Sequence, residues 1–113
     1  MQMQIRENGS NALIAVSGNL TAIHLSASLR GAVKQLLAKQ IKRIVIDMGE
    51  LVHIDSTGVG ELVSAYTSAS AEQAELELYD VPDSCMELLE ITNLSDIFTV
   101  RKKGDPSVLN AFS

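Results

Sequence analysis

Apolar segments and turn residues near the start of the chain predict a pair of strands. Met3–Glu7 and Ala12–Ser17 are separated by Asn8-Gly9-Ser10-Asn11, and Asn-Gly between two extended segments is a strong hairpin signal. Ala12–Ser17 begins with apolar residues on both alternating faces, which indicates an internal strand. Met3–Glu7 is more polar, so we expect an antiparallel pair with this strand at the edge of the sheet.

Three later stretches have the pattern of helices that pack one face on a core. Ser26–Gln40 carries apolar residues three or four positions apart, and Thr57 to about Gln73 repeats this spacing. The capping-box pattern Ser84-Cys85-Met86-Glu87 precedes further leucines and predicts the start of a third helix.

Strands are predicted between and after these helices. Ile44–Asp47 opens with three β-branched residues, as in a strand covered on both faces, and a loop follows it. Leu76–Val81 alternates apolar with acidic residues such as Glu77, which predicts one wetter face, and Phe98–Arg101 is a last short strand. This order predicts an α/β fold: a mixed four- to five-stranded sheet with an N-terminal antiparallel hairpin, then alternating helices and parallel strands.

The length of 113 residues predicts one domain over residues 1–113, which folds by removing roughly two-thirds of its surface from water. With 46% hydrophobic but only 4% aromatic residues, the core must be aliphatic. Lys102–Pro106 is expected to be a frayed exit from the last strand, and Ser107–Ser113 a frayed tail.

Charge and cysteine content narrow the classes of partner and compartment. A net charge of -5 argues against nucleic acid and against direct membrane binding, because both need clustered Lys and Arg. The single cysteine, Cys85, cannot form an internal disulfide and is expected to fill space in the core. No signal-peptide pattern or long apolar run is present, so we expect a cytoplasmic protein.

A catalytic role is weighed first, because Ser56, His53 and Asp47 or Asp55 are the residue types of a triad. The glycine that a nucleophile elbow needs two positions before its serine is here Ile54. A histidine and a serine three positions apart across a helix start also need not face each other. The chain is therefore not expected to be an enzyme.

Metal and cofactor sites are not predicted either. His24 and His53 have no Cys or Glu partners at metal-ligand spacing. The glycines from Gly49 to Gly60 do not have the spacing of a phosphate-binding loop and lack its following lysine.

Ser56 lies where the predicted loop meets the second helix, and its simplest interpretation is a helix N-cap. Gly58 and Gly60 are not needed by a cap, however, and they allow close approach of another surface. A phosphoryl group on Ser56 would add about -1.5 to -2 charges beside Asp55 and near Glu61. Local folding would change little, whereas affinity for an acidic partner surface would change by roughly tenfold to a thousandfold.

These residues resemble the STAS domain family, in particular the stand-alone bacterial anti-sigma-factor antagonists. The similarity runs from the hairpin and Gly18 through Ile44–Asp47 and Ile54–Gly60 to Leu88-Leu89 and Phe98. It implies a regulator that catalyses nothing and switches between partners. Those partners would be a serine kinase of anti-sigma type, with a histidine-kinase-like ATP fold, and a serine phosphatase.

The resemblance also implies roles for individual residues. Ser56 would be the phosphorylation site and Asp55 would orient it. The partner would contact Asp55, Thr57, Gly58, Gly60, His53 and Thr21.

Two departures from the family bear on partner and fold. Many antagonists have an acidic residue shortly after the glycine that matches Gly18, where this chain has Leu20 and Thr21. Glu72-Gln73-Ala74 stands where the family usually has glycine, so that turn is expected to be built differently. The output of the switch could be a sigma factor or another transcriptional, biofilm or stress programme.

Other hypotheses are a constitutive scaffold or an accessory subunit of a transporter or stress-sensing complex. A small-ligand-binding domain would need a sizeable pocket beside the loop from Gly49 to Ser56.

Overall fold

The computed structural model describes residues 1–21 and 29–113. The predicted helix start at Ser26 and the candidate ligand His24 lie outside the described residues. Within them the elements are β1 Gln2–Asn8, β2 Asn11–Leu20, α1 Leu29–Ala38, β3 Arg43–Ile54, α2 Ser56–Ala71, β4 Glu75–Tyr79, α3 Asp83–Ile91, β5 Thr99–Arg101 and α4 Pro106–Ala111.

The described strands form one sheet in the order β1-β2-β3-β4-β5. β1 and β2 pair antiparallel through the predicted Asn-Gly turn, and all later pairs are parallel. The predicted mixed sheet with an N-terminal hairpin is confirmed. β2 is internal, as its apolar character on both faces indicated, and β1 is an edge strand.

The main core lies between one face of the sheet and the first three helices. Aliphatic side chains of the central strands, such as Ile14, Ile46 and Leu78, pack there against Leu62 and Leu89. All five are fully buried. A second, smaller cluster covers the other face of the sheet and consists of Val45, Tyr79, Val108 and Phe112.

The end of the chain differs from the predicted frayed tail. Residues 106–111 form α4, which buries Val108 and Phe112 on Val45 and Tyr79 of the sheet. Arg6 of β1 donates a hydrogen bond to the carbonyl of Phe112 (2.8 Å) and holds the helix in place. The expectation of fraying over Ser107–Ser113 was wrong because a six-residue helix is too short to give a periodic apolar signal.

Glu77 lies on the face of β4 that was predicted to be wetter, yet only 3% of it is exposed. Arg43 donates from Nε to Glu77 Oε2 (2.8 Å) and from Nη2 to Oε1 (2.9 Å), and Arg101 donates from Nε to Oε1 (3.0 Å). Burial alone would raise the pKa of this carboxyl. The hydrogen bonds from Arg43 and Arg101 outweigh it and hold the pKa below the ordinary 4.5.

Three local predictions are corrected. β3 continues as a strand to Ile54, where a loop was expected after Asp47. α3 begins at Asp83 without a side-chain cap, so the capping box at Ser84 does not form. Gln73 has a φ of 57°, the left-handed conformation for which glycine is usual at a helix end, so this turn keeps the glycine-like geometry without a glycine.

Candidate functional site

The site is built where β2 and β3 end side by side. The two strands are parallel, so their carboxyl ends meet at one edge of the sheet, where ligands and partners of such sheets commonly bind. Leu20 pairs with Ile54 at the last register position. The backbone N–H of Asp55 then donates to the carbonyl of Leu20 (3.4 Å), which brings the chain directly from β3 into α2.

Asp55, not Ser56, is the N-cap of α2. Its backbone is extended (φ -122°, ψ -173°), and its Oδ1 accepts a hydrogen bond from the N–H of Gly58 at 3.1 Å. Its carbonyl accepts from the N–H of Val59 (3.0 Å), as the first turn of a helix requires. The interpretation of Ser56 as the cap is therefore wrong.

Ser56 is the first residue of α2 and is exposed. In the described part of the chain, residues 1–21 and 29–113, the hydroxyl of Ser56 has no hydrogen-bond partner. It stands at the positive end of the helix dipole, which favours a negative group placed there. An exposed hydroxyl at this position is open to an incoming protein.

Four other predicted site residues lie around Ser56. Thr21 follows Leu20 at the end of β2, and His53 pairs with Asn19 near the end of β3. Thr57 continues the first turn of α2 and is exposed, as is His53. We call Thr21, His53, Asp55, Ser56 and Thr57 the Ser56 edge.

Gly58 and Gly60, which follow Ser56 in α2, have opposite surroundings. A Cβ atom added to Gly58 would collide with the carbonyl oxygen of Leu20 and crowd the side chain of Ile54. Gly58 is buried, so its role is internal: it lets α2 pack closely against the end of β2, and the expected partner contact at Gly58 is corrected. Gly60 is exposed, and a Cβ atom there would have no neighbour within 4 Å. Gly60 remains a candidate contact.

An ionic contact joins the start of α1 to the first turns of α2. Glu61 accepts from the N–H of Arg30 (3.5 Å), and Arg30 Nε lies 3.9 Å from Glu61 Oε2. Half of the Arg30 side chain is exposed, so this pair is weak. It places one guanidinium group close to the helix turn that follows Ser56.

The geometry gives no catalytic or metal-binding arrangement within residues 1–21 and 29–113. No hydrogen bond joins His53 to Ser56, and among the described residues no three His, Cys, Asp or Glu side chains are grouped to hold a metal ion. Burial raises the pKa of the Cys85 thiol, which makes it less reactive. A groove of about 570 Å³ beside β1 and β2 reaches Glu50 but not Ser56.

The STAS domain model matches residues 2–106. The chain belongs to the STAS domain family. The anti-sigma-B factor antagonist of Listeria monocytogenes is 31% identical over 113 residues, covering 98% of each chain.

Solved STAS structures share the fold at low sequence identity. An anti-sigma factor antagonist from Mycobacterium paratuberculosis superposes with a TM-score of 0.80 at 16% identity, covering 99% of this chain and 94% of the other. The phosphorylated form of the Bacillus cell fate determinant SpoIIAA gives 0.75 at 14% identity, covering 96% and 97%. The predicted STAS resemblance is confirmed. The prediction of a regulatory protein that is not an enzyme agrees with relatives that are anti-sigma factor antagonists.

No helix within residues 1–21 and 29–113 has the length and apolar character that crossing a membrane requires.

Sequence reasoning missed two residues at this edge. Val52 is exposed, but no sequence pattern indicates this, because its exposure depends on an irregular register between β2 and β3. Arg30 lies in a different helix from Glu61, and only the packing of α1 on α2 brings them together.

Proposed function

We propose that this STAS protein is a partner-switching regulator controlled by phosphorylation of Ser56. With the hydroxyl unmodified, it binds a serine kinase of anti-sigma type that has a histidine-kinase-like ATP fold. With a phosphate on Ser56 it releases that kinase, and a serine phosphatase restores the binding form. The switch controls a transcriptional, biofilm or stress programme, and the protein acts in the cytoplasm.

The exposed position of Ser56 carries the proposal. Because Asp55 occupies the cap, the Ser56 hydroxyl is not needed to complete α2 and can be modified without uncapping it. A kinase must bring the γ-phosphate of its bound ATP to the hydroxyl, and Ser56 is exposed at the end of the sheet. A relative's structure described as a phosphorylated form supports the same chemistry on this fold.

The electrostatics favour an effect on binding over an effect on folding. The helix N-terminus offsets about half a charge, while Asp55 and Glu61 oppose an added phosphate, so the two local effects largely cancel. A carboxylate of the partner about 4 Å from the phosphate would meet repulsion of roughly 1 to 4 kcal/mol per pair of unit charges. Each 1.4 kcal/mol changes affinity about tenfold.

The experiment uses the purified protein and a purified serine kinase of anti-sigma type, with a histidine-kinase-like ATP fold, from the same organism. Incubation with ATP and Mg²⁺ should place one phosphate on Ser56, located by mass spectrometry of peptides. Ser56→Ala should abolish it. Ser70→Ala, at an exposed serine in the last turn of the same helix, should leave it unchanged.

Binding of the same kinase is then measured by calorimetry. Ser56→Ala should bind about as tightly as the wild type, and Ser56→Asp roughly tenfold to a thousandfold more weakly. Equal affinity of the two variants would refute the switch. A complex that resists dissociation whatever residue stands at position 56 would favour a constitutive scaffold instead.

A further inference from the structure

β3 departs from regular pairing with β2 at two places. Ala15 pairs with Asp47 but Ser17 with Glu50, and Gly18 pairs with Leu51 but Asn19 with His53. In each interval β3 contains one residue more than β2, which is a β-bulge. Val52 is the extra residue of the second bulge, four positions before Ser56 in the chain.

The second bulge turns an apolar side chain outward. Val52 is 62% exposed, although its neighbour Leu51 is only 7% exposed and packs in the main core. In a regular strand the residue after a buried one faces the other side of the sheet. At this bulge both Val52 and His53 are exposed, so two adjacent side chains are presented beside the Ser56 edge.

A second unfavourable feature lies at the same bulge. Among the residues that the structure describes, the side-chain oxygen of Asn19, the register partner of His53, is buried and has no hydrogen-bond partner. Exposed valine surface and an unsatisfied amide oxygen both lower the stability of the free protein. Such departures from good local structure concentrate where a protein makes contacts with others.

The charges around the bulge indicate the chemistry of the surface that would cover it. Glu50, two positions before Val52, is exposed, and the chain carries a net charge of -5. An apolar side chain with an exposed carboxylate nearby, on an acidic protein, is complementary to an apolar socket edged by Lys or Arg.

We propose that Val52 is the apolar anchor by which the kinase partner recognises the Ser56 edge, with its side chain entering a socket on the kinase that is rimmed by basic residues. The inference rests on the proposed function, because it assigns a contact within that same complex. It makes the β-bulge a device that fixes the partner's position relative to Ser56.

Ile91 supplies a matched control, because it is also an exposed β-branched apolar residue but has no position near Ser56. It is 70% exposed and ends α3. α3 starts after the carboxyl end of β4 and returns along the sheet, so Ile91 lies at the opposite end of the molecule from Ser56.

The test measures kinase affinity by calorimetry for Val52→Thr, which keeps the branched shape and β propensity, and for Ile91→Thr. Val52→Thr should weaken binding about five- to twentyfold, since a buried methyl group is replaced by a hydroxyl. Ile91→Thr should change affinity less than about twofold. Unchanged affinity of Val52→Thr would overturn the inference.

The charge of the socket is tested with Val52→Glu and Val52→Lys. Both remove the apolar contact, and the lysine variant should bind more weakly because the rim of the socket is basic. The reverse order would overturn the proposed complementarity. Thermal unfolding of each variant, followed by circular dichroism, checks that the fold is kept.

The outcomes separate this inference from the proposed function. Normal binding by Val52→Thr together with weak binding by Ser56→Asp removes Val52 as the anchor and leaves the phosphorylation switch intact. Weak binding by Val52→Thr with equal binding by Ser56→Asp and Ser56→Ala keeps the anchor and refutes the switch. Failure of the wild type to bind the kinase overturns both.

Discussion

The two ends of the sheet are completed in different ways. At the amino end, the described turns are closed by the chain's own backbone: the N–H of Lys42 donates to Ser10 (2.8 Å), and that of Glu75 donates to Lys42 (2.8 Å). At the carboxyl end, Val52, His53 and Ser56 are exposed.

The helix ends repeat this contrast. After α1, α2 and α3 the chain turns through a residue with positive φ and closes the turn with backbone hydrogen bonds; these residues are Gln40, Gln73 and Asn93. Such closure satisfies the last carbonyls of each helix. The amino end is therefore internally satisfied, whereas the carboxyl end leaves Val52, His53 and Ser56 exposed. Polar groups that have no structural role within the protein are therefore better indicators of a functional site than polar groups that close its turns.

Gly58→Ala should have the largest effect, because it tests whether the Ser56 edge depends on close packing inside the molecule. The new methyl group collides with the carbonyl of Leu20, so the free energy of unfolding should fall by about 3 kcal/mol. Gly60→Ala is the control: its methyl group has open space, and it should raise stability by up to about 1 kcal/mol. Urea unfolding measures both. Equal stability of the two variants would mean that α2 does not pack on β2 this closely.

Glu77→Gln tests the hydrogen-bonded cluster that Glu77 forms with Arg43 and Arg101 beneath α4. It removes the carboxylate that Arg43 and Arg101 share, although Arg101 Nη1 still lies 3.9 Å from Asp105 Oδ2, and it should lower the free energy of unfolding by about 2 kcal/mol. That figure is below the usual cost of breaking a buried pair, because the Arg101 side chain is 37% exposed. Glu75→Gln, at an exposed position of the same strand, should change stability by less than about 0.5 kcal/mol. A similar loss of stability in Glu77→Gln and Glu75→Gln would show that the pairing of Glu77 with Arg43 and Arg101 does not stabilise the fold.

The same cluster should make stability depend on pH. The pKa of Glu77 is lower in the folded protein than in the unfolded chain, so its carboxylate stabilises the fold above the unfolded pKa of about 4.5. This contribution is lost as pH falls through the lower, folded pKa. Urea midpoints between pH 7 and pH 3 should therefore drop more steeply for the wild type than for Glu77→Gln. Parallel curves would show that Glu77 is not held ionised by its arginines.

Gln73→Gly should raise stability by about 1 kcal/mol, because Gln73 occupies a left-handed conformation that glycine adopts without strain. Asn93→Gly should gain less, since asparagine tolerates this conformation better than glutamine does. Thermal unfolding of the two variants gives the comparison. A loss of stability in Gln73→Gly would indicate that its side chain makes a contact that the turn needs.

Ser56→Asp should have the smallest effect on folding, less than about 0.5 kcal/mol, because the favourable helix dipole and the unfavourable neighbouring Asp55 oppose each other. Ser70→Asp is the matched variant in the last turn of α2, where a carboxylate faces the negative end of the dipole and should destabilise by about 0.3 to 1 kcal/mol. Chemical denaturation distinguishes them. A large loss of folding stability in Ser56→Asp would mean that Ser56 makes interactions within the protein that the fold needs, as the residues at the other end of the sheet do.

Much of the fold could be predicted from the sequence because its signals are local. The Asn-Gly turn between Glu7 and Ala12, the apolar β2 and the helical spacing of α2 each depend on residues close together in the chain. The position of Ser56 at a helix start followed from the same kind of pattern.

The cap itself could not be assigned from the sequence. Asp55, Ser56 and Thr57 are all residue types that cap helices, and only the extended backbone of Asp55 decides among them.

Long-range packing explains the other failures. Glu77 is buried because Arg43 and Arg101 approach it and α4 covers that face, and Arg43 is 34 positions away in the chain. The bulge at Val52 depends on the register between β2 and β3, which no residue in β3 specifies alone. Periodicity in one segment carries no information about such contacts.

The antiparallel course of β1 has a practical consequence for pull-down and biosensor experiments. Met1 lies against Gly18, with its Cα 3.8 Å from where a Cβ of that glycine would be, and Gly18 pairs with Leu51 beside the second bulge. An affinity tag fused ahead of Met1 would therefore lie close to the Ser56 edge. Asn8, at the hairpin turn on the opposite end, donates to the carbonyl of Ala111 (2.6 Å) and ties α4 there, so a tag placed after Ser113 leaves the Ser56 edge uncovered.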